Sequence, residues 1–97
     1  TDTLYWSDDD LTELLKLLVS EYQCYDVLLE AGPSVAGSFL QQQLVDELIV
    51  YQAPCLLGHK ARAMVNINPL SLAQQLRFNI QCHEQLGSDL KLTLLPV

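Results

Sequence analysis

Leu11, Leu14, Leu15, Leu18, Val19 and Tyr22 recur at intervals of three and four, which gathers them on one face of a helix. Asp8, Asp9 and Asp10 precede that run, and Asp10 with Glu13 three residues later forms a capping-box pattern. The three acids therefore mark a helix start in preference to a metal site. A short apolar run, Tyr25 to Leu29, follows and reads as a buried strand. Glu30-Ala31-Gly32-Pro33 then punctuates the chain before a second helix, from Ser34 to about Gln43, with Val35, Phe39 and Leu40 placed to pack on a core. Leu48 to Tyr51 are continuously apolar and β-prone, as in a strand covered on both faces, and Pro54 ends them. The order helix, strand, helix, strand predicts a parallel pair joined by a right-handed crossover.

Between Cys55 and about Leu76 the pattern weakens. "LLGHKARAM" reads as a loop, and "NPLSLAQQL" as a short helix beginning after Asn68-Pro69. From Phe78 the period becomes two: Phe78, Ile80 and Cys82 lie on one side, and Leu90, Leu92 and Leu94 answer them beyond "LGSD", the signature of an antiparallel hairpin. The predicted class is α/β, three-layered, with a crossover pair and a C-terminal hairpin. Such apolar strands call for helices on both faces and strands on both edges, and this sequence offers two strong helices. The sheet is under-supplied, so residues 1–97 read as the C-terminal part of a larger α/β domain or as a chain completed by a second copy, most simply in a homodimer.

Charge and cysteine usage narrow the function. Twelve acids against five Lys plus Arg give a formal charge of -7 with no basic run, which disfavours nucleic acid and anionic membranes as partners. No apolar stretch approaches the roughly 20 residues of a membrane span, and the N-terminus lacks a signal-peptide layout; a soluble, cytoplasmic chain is expected. Cys24, Cys55 and Cys82 are odd in number and widely spaced, which predicts buried free thiols and no disulfide framework. With only His59 and His83 beside them, no metal site is implied.

The turn after the first apolar run carries the candidate chemistry. In an open parallel sheet, ligands bind beyond the carboxyl ends of the strands, where the chain enters the next helix. Gly32 permits close backbone approach, Pro33 suits the first helical position, and the amides of Ser34 to Gly37 would face outward at the positive end of the helix dipole, a setting suited to phosphate or diphosphate. Ser34 and Ser38 add hydroxyls. A strand-to-helix turn with purely conformational Gly and Pro fits the same spacing, and GxGxxG is absent. Glu30, at the end of an apolar run, needs a donor or a positive partner. Among the other polar residues, His59, Lys60 and Arg62 form a loop that is more often solvated than ligand-bearing, His83 beside Glu84 reads as structural or exposed, and the adjacent Asp46-Glu47 pair is disfavoured as an acid dyad.

"VLLEAGPSVAGSFLQQQLVDELIVYQAPCLLG", Val27 to Gly58, together with the acidic helix before it and the "LGSDLKLTLLPV" ending, resembles the C-terminal half of the reductase domain of the bacterial bifunctional riboflavin-biosynthesis deaminase/reductases. The combination of the Glu-Ala-Gly-Pro turn, Leu-Val-Asp-Glu-Leu and Ala-Pro-x-Leu-Leu-Gly carries that likeness. The resemblance implies a dihydrofolate-reductase-like fold and NADPH-dependent reduction of the ribosyl group of 5-amino-6-(5-phosphoribosylamino)uracil to the ribityl product. It places Glu30 at the substrate side and Gly32, Pro33, Ser34, Val35, Ala36, Gly37 and Ser38 along the NADPH diphosphate, and it assigns no catalytic residue. It further implies as partners a pyrimidine ribosyl phosphate, the rest of the reductase domain and a zinc deaminase domain, whose own motifs this sequence lacks. The competing expectation is a non-catalytic nucleotide-binding or dimerisation module.

Overall fold

The computed structural model describes residues 4–6, 10–68, 70–71 and 73–97. Two helices, α1 (Leu11–Tyr22) and α2 (Pro33–Gln41), precede three strands, β1 (Leu48–Gln52), β2 (Phe78–Leu86) and β3 (Asp89–Pro96). The chain forms two compact units. One runs to Leu44 and takes in Met64–Ile67, and the other comprises Val45–Ala63 and Asn68–Val97.

In the first unit, α1 follows the predicted period, with Leu11 buried and Leu14, Leu15 and Leu18 half-buried, while Val19 and Tyr22 remain exposed. Its capping box is not made: Asp10 occupies the N-cap without a side-chain bond. The Trp6 indole N–H instead donates to the Asp10 carbonyl at 2.7 Å, and Glu13 pairs with Lys16 at 3.5 Å on the exposed face. Asp8 and Asp9 lie outside the described residues. α2 begins one residue earlier than predicted, because Pro33, with its fixed φ and missing amide, suits the first helical position. Its Phe39 and Leu40 are buried and Val35 is half-buried. The helix ends in a Schellman arrangement around Gln43, left-handed at φ 58°: the Gln43 amide donates to the Leu40 carbonyl and that of Leu44 to Phe39, each at 3.0 Å.

The segment Val27–Leu29 departs from expectation. It forms no strand, and its side chains are exposed, Leu28 by 80%. A strand persists only where neighbours take up its N–H and C=O groups, and no ladder among the described residues includes this run. The predicted parallel crossover pair is therefore not formed among the described residues, and Leu48–Tyr51 pairs antiparallel with β3.

The second unit is built on an antiparallel sheet in the order β1-β3-β2. β3 is central and carries the buried Thr93. The predicted hairpin forms, turning through Gly87 and Ser88 with Gly87 at φ 62°, the conformation that a two-residue hairpin turn asks of glycine. One detail of its register differs. Ile80 faces Leu94 but Cys82 faces Thr93, so a bulge absorbs Gln81 and moves Cys82 off the leucine side. His83 and Gln85 take its place opposite Leu92 and Leu90. Cys82 and Cys55 are exposed free thiols and Cys24 is half-buried, against the buried thiols expected. β1 is apolar throughout its first four residues but only one of its faces is sheltered: Leu48 and Val50 are half-buried, whereas Ile49 and Tyr51 are exposed. Of the helix expected after Asn68, Pro69 and Leu72 lie outside the described residues, and the Ser71 hydroxyl accepts from the Gln74 amide at 3.3 Å. No helix among the described residues is long and apolar enough to cross a membrane.

Candidate functional site

The turn from Glu30 to Ser38 belongs wholly to the first unit. Gly32 is the N-cap of α2, extended at φ -69° and ψ 175°. Any residue can adopt that backbone, and a Cβ built on Gly32 would meet nothing within 4 Å. Neither conformation nor packing among the described residues thus demands glycine there. The space in front of it is open.

Behind Gly32 the helix supplies donors, though fewer than the sequence suggested. The Ala36 amide is engaged by the Gly32 carbonyl at 3.1 Å. Since Pro33 has no N–H, the first-turn amides that helix geometry leaves without a carbonyl partner are those of Ser34 and Val35. Ser34 is exposed, and its Oγ accepts a bond from Asn66 Nδ2 at 3.1 Å, which leaves its proton available. The Ser38 hydroxyl is directed differently, donating to the Ser34 carbonyl at 3.1 Å. Gly37 is buried and faces a neighbouring segment: a Cβ there would run into the Asn66 carbonyl group, 2.8 Å from its carbon. Glu30 is exposed in the irregular stretch before the turn and does not end a buried strand.

The turn therefore keeps Gly32, Pro33, Ser34 and Val35 at an open helix terminus, with Ala36, Gly37 and Ser38 in the helix body. Asn66 joins them from 32 positions along the chain. Spacing gives no sign of Asn66; a glycine inside a helix is unfavourable unless something approaches closely, so Gly37 signals an approach without naming the residue that makes it.

The other polar candidates lie in the second unit. His59, Lys60 and Arg62 are all exposed, in a turn closed by the Ala61 amide on the Gly58 carbonyl at 3.3 Å. His83 is exposed on β2. Asp46 and Glu47 are exposed and precede β1. Among the described residues no three His, Cys, Asp or Glu side chains gather as metal ligands.

A profile of the RibD C-terminal domain matches residues 6–92. The chain belongs to this family. A riboflavin biosynthesis protein RibD from Buchnera aphidicola of Baizongia pistaciae is 41% identical over 88% of this chain and 23% of its own length. A 5-amino-6-(5-phosphoribosylamino)uracil reductase from Buchnera aphidicola of Acyrthosiphon pisum is 36% identical over 90% of the chain and 42% of its own length. The solved structure of Acinetobacter baumannii RibD superposes with a TM-score of 0.89 at 47% identity, covering 97% of this chain and 26% of that one. The chain thus spans 23 to 42% of the length of these RibD relatives. The likeness agrees with an α/β fold forming part of a dihydrofolate-reductase-like domain and ending in an antiparallel hairpin.

Proposed function

We propose that this chain supplies one wall of an NADPH-dependent reductase site in riboflavin biosynthesis, as the C-terminal portion of a RibD-type reductase domain. The observation that carries the reading is Gly32: a glycine at a helix N-cap that its own fold does not require, with open space before it. The donor set fits a diphosphate. Two amides without a carbonyl partner in the helix, one hydroxyl proton and the positive end of α2 converge on one end of the helix, and no acidic side chain lies between Gly32 and Ser38. NADPH, when bound, supplies the hydride that converts the ribosyl group of 5-amino-6-(5-phosphoribosylamino)uracil to the ribityl group.

The chain's own residues bind and orient. Gly32 lets the backbone approach the phosphates, Ser34 and Val35 donate to them, and Glu30, exposed and acceptor-only when ionised, holds donor groups of the substrate. The similarity to a relative named 5-amino-6-(5-phosphoribosylamino)uracil reductase supports this substrate. The remainder of the reductase domain, and a zinc deaminase domain beyond it, are the partners proposed for the parent protein, so the isolated chain should show little or no turnover. A homodimer is proposed as well, because β1 and β2 each leave one edge unpaired among the described residues.

NADPH titration of an intact reductase carrying these residues, beside its Gly32→Val variant, tests the reading. Weaker binding by the variant with unchanged folding is expected. Equal affinity would refute it.

A further inference from the structure

We propose that Asn66 is a positioning residue for the turn that opens α2, acting through Ser34; this rests on the reading of that turn as the cofactor's diphosphate seat. Asn66 reaches the helix in three ways. Its backbone amide donates to the Pro33 carbonyl at 2.9 Å, its side-chain Nδ2 donates to Ser34 Oγ at 3.1 Å, and its carbonyl rests on the bare backbone of Gly37. The first and third contacts fix where Asn66 stands. The second then sets the polarity of Ser34.

A serine hydroxyl has one proton and two lone pairs. With Asn66 donating to one lone pair, the Ser34 proton is not needed within this pair and can be donated outward, beside the Ser34 and Val35 amides that have no carbonyl partner in the helix. A seat for an anion requires donors, and Asn66 makes Ser34 one. The Ser38 hydroxyl, donating to the carbonyl of the same Ser34, steadies that residue from the helix side.

The polarity argument separates two substitutions. Asn66→Ala keeps both backbone contacts and leaves the Ser34 rotor undirected. Asn66→Asp offers an acceptor in place of the donor, so the Ser34 proton turns inward and a negative charge stands beside the anion seat.

The test is NADPH affinity and steady-state reduction in an intact reductase carrying Asn66→Ala, Asn66→Asp, Ser34→Ala and the double variant Asn66→Ala with Ser34→Ala. The expected loss of NADPH affinity is several-fold for Asn66→Ala and roughly tenfold or more for Asn66→Asp, the scale of one hydrogen bond to a charged group. It should appear as a raised KM for NADPH with kcat retained. In the Ser34→Ala background, Asn66→Ala should cost almost nothing further, a dependence that general loosening of the fold would not produce. Unchanged affinity in Asn66→Ala, or an equal loss in both backgrounds, overturns the role of Asn66. The Gly32→Val variant keeps the two claims apart: if it weakens NADPH binding while Asn66→Ala does not, only the positioning role falls, and if neither has an effect the reading of the turn falls with it.

Discussion

The Asn66 carbonyl lies against the helix backbone at Gly37, nearer than any side chain at position 37 would allow. That approach accounts for a glycine inside a nine-residue helix, where its entropy cost would otherwise argue for alanine. It also sets the two glycines of the turn apart. Gly37 serves the fold, and Gly32 is left open.

Gly37→Ala should therefore destabilise the protein despite alanine's higher helix propensity. The clash is with backbone, which cannot swing away as a flexible side chain would. A loss of about 1 to 3 kcal/mol is expected from overpacking, read as a lower denaturant midpoint with little change in its slope. A gain in stability would contradict the contact.

Gly32→Ala should be nearly neutral in the same measurement, since φ -69° is open to alanine and its Cβ meets nothing. Gly87→Ala should not be neutral. At φ 62° in the hairpin turn, a Cβ costs about 1 to 2 kcal/mol. Equal midpoints for these two variants would count against the assigned turn.

Gln43→Gly should act in the opposite direction. Gln43 holds the left-handed position that ends α2, where glycine relieves strain of about 1 kcal/mol. Its denaturation midpoint should rise.

The sequence made the locally determined parts legible. The three-and-four spacing of Leu11 to Tyr22 gave α1, Pro33 gave the start of α2, and the period of two with Gly87 gave the hairpin. What it did not disclose depends on partners distant along the chain or not local at all. Val27 to Leu29 has the composition of a buried strand, but strand structure needs neighbours, and none of the described strands pairs with it. The bulge at Gln81 adds one residue without altering the alternating composition, so the period of two sets Cys82 with Ile80 although the ladder sets it opposite Thr93. Asp10 and Glu13 satisfied a capping pattern that the Asp10 side chain does not complete. At the candidate site, the open terminus at Gly32 and Ser34 was legible from glycine and proline placement. Asn66 was not, because a tether across 32 positions leaves no local pattern.

Among the described residues β1 and β2 each leave one edge unpaired, which predicts association of this chain when it stands alone. Sedimentation of the chain of residues 1–97 should show a homodimer, and a well-folded monomer at high concentration would refute that proposal.

The most direct test of the central claim compares Gly32→Val and Glu30→Gln in an intact reductase, measuring NADPH affinity and steady-state reduction for each. If one turn addresses both reactants, the added β-branched side chain occupies the space of the approaching phosphates, and Gly32→Val weakens NADPH binding. Glu30→Gln, which alters only the carboxylate proposed to face the substrate, should lower turnover or raise the substrate KM and leave NADPH affinity nearly unchanged. Equal loss of cofactor affinity in both variants, or no effect in either, would contradict the division of labour between Glu30 and Gly32.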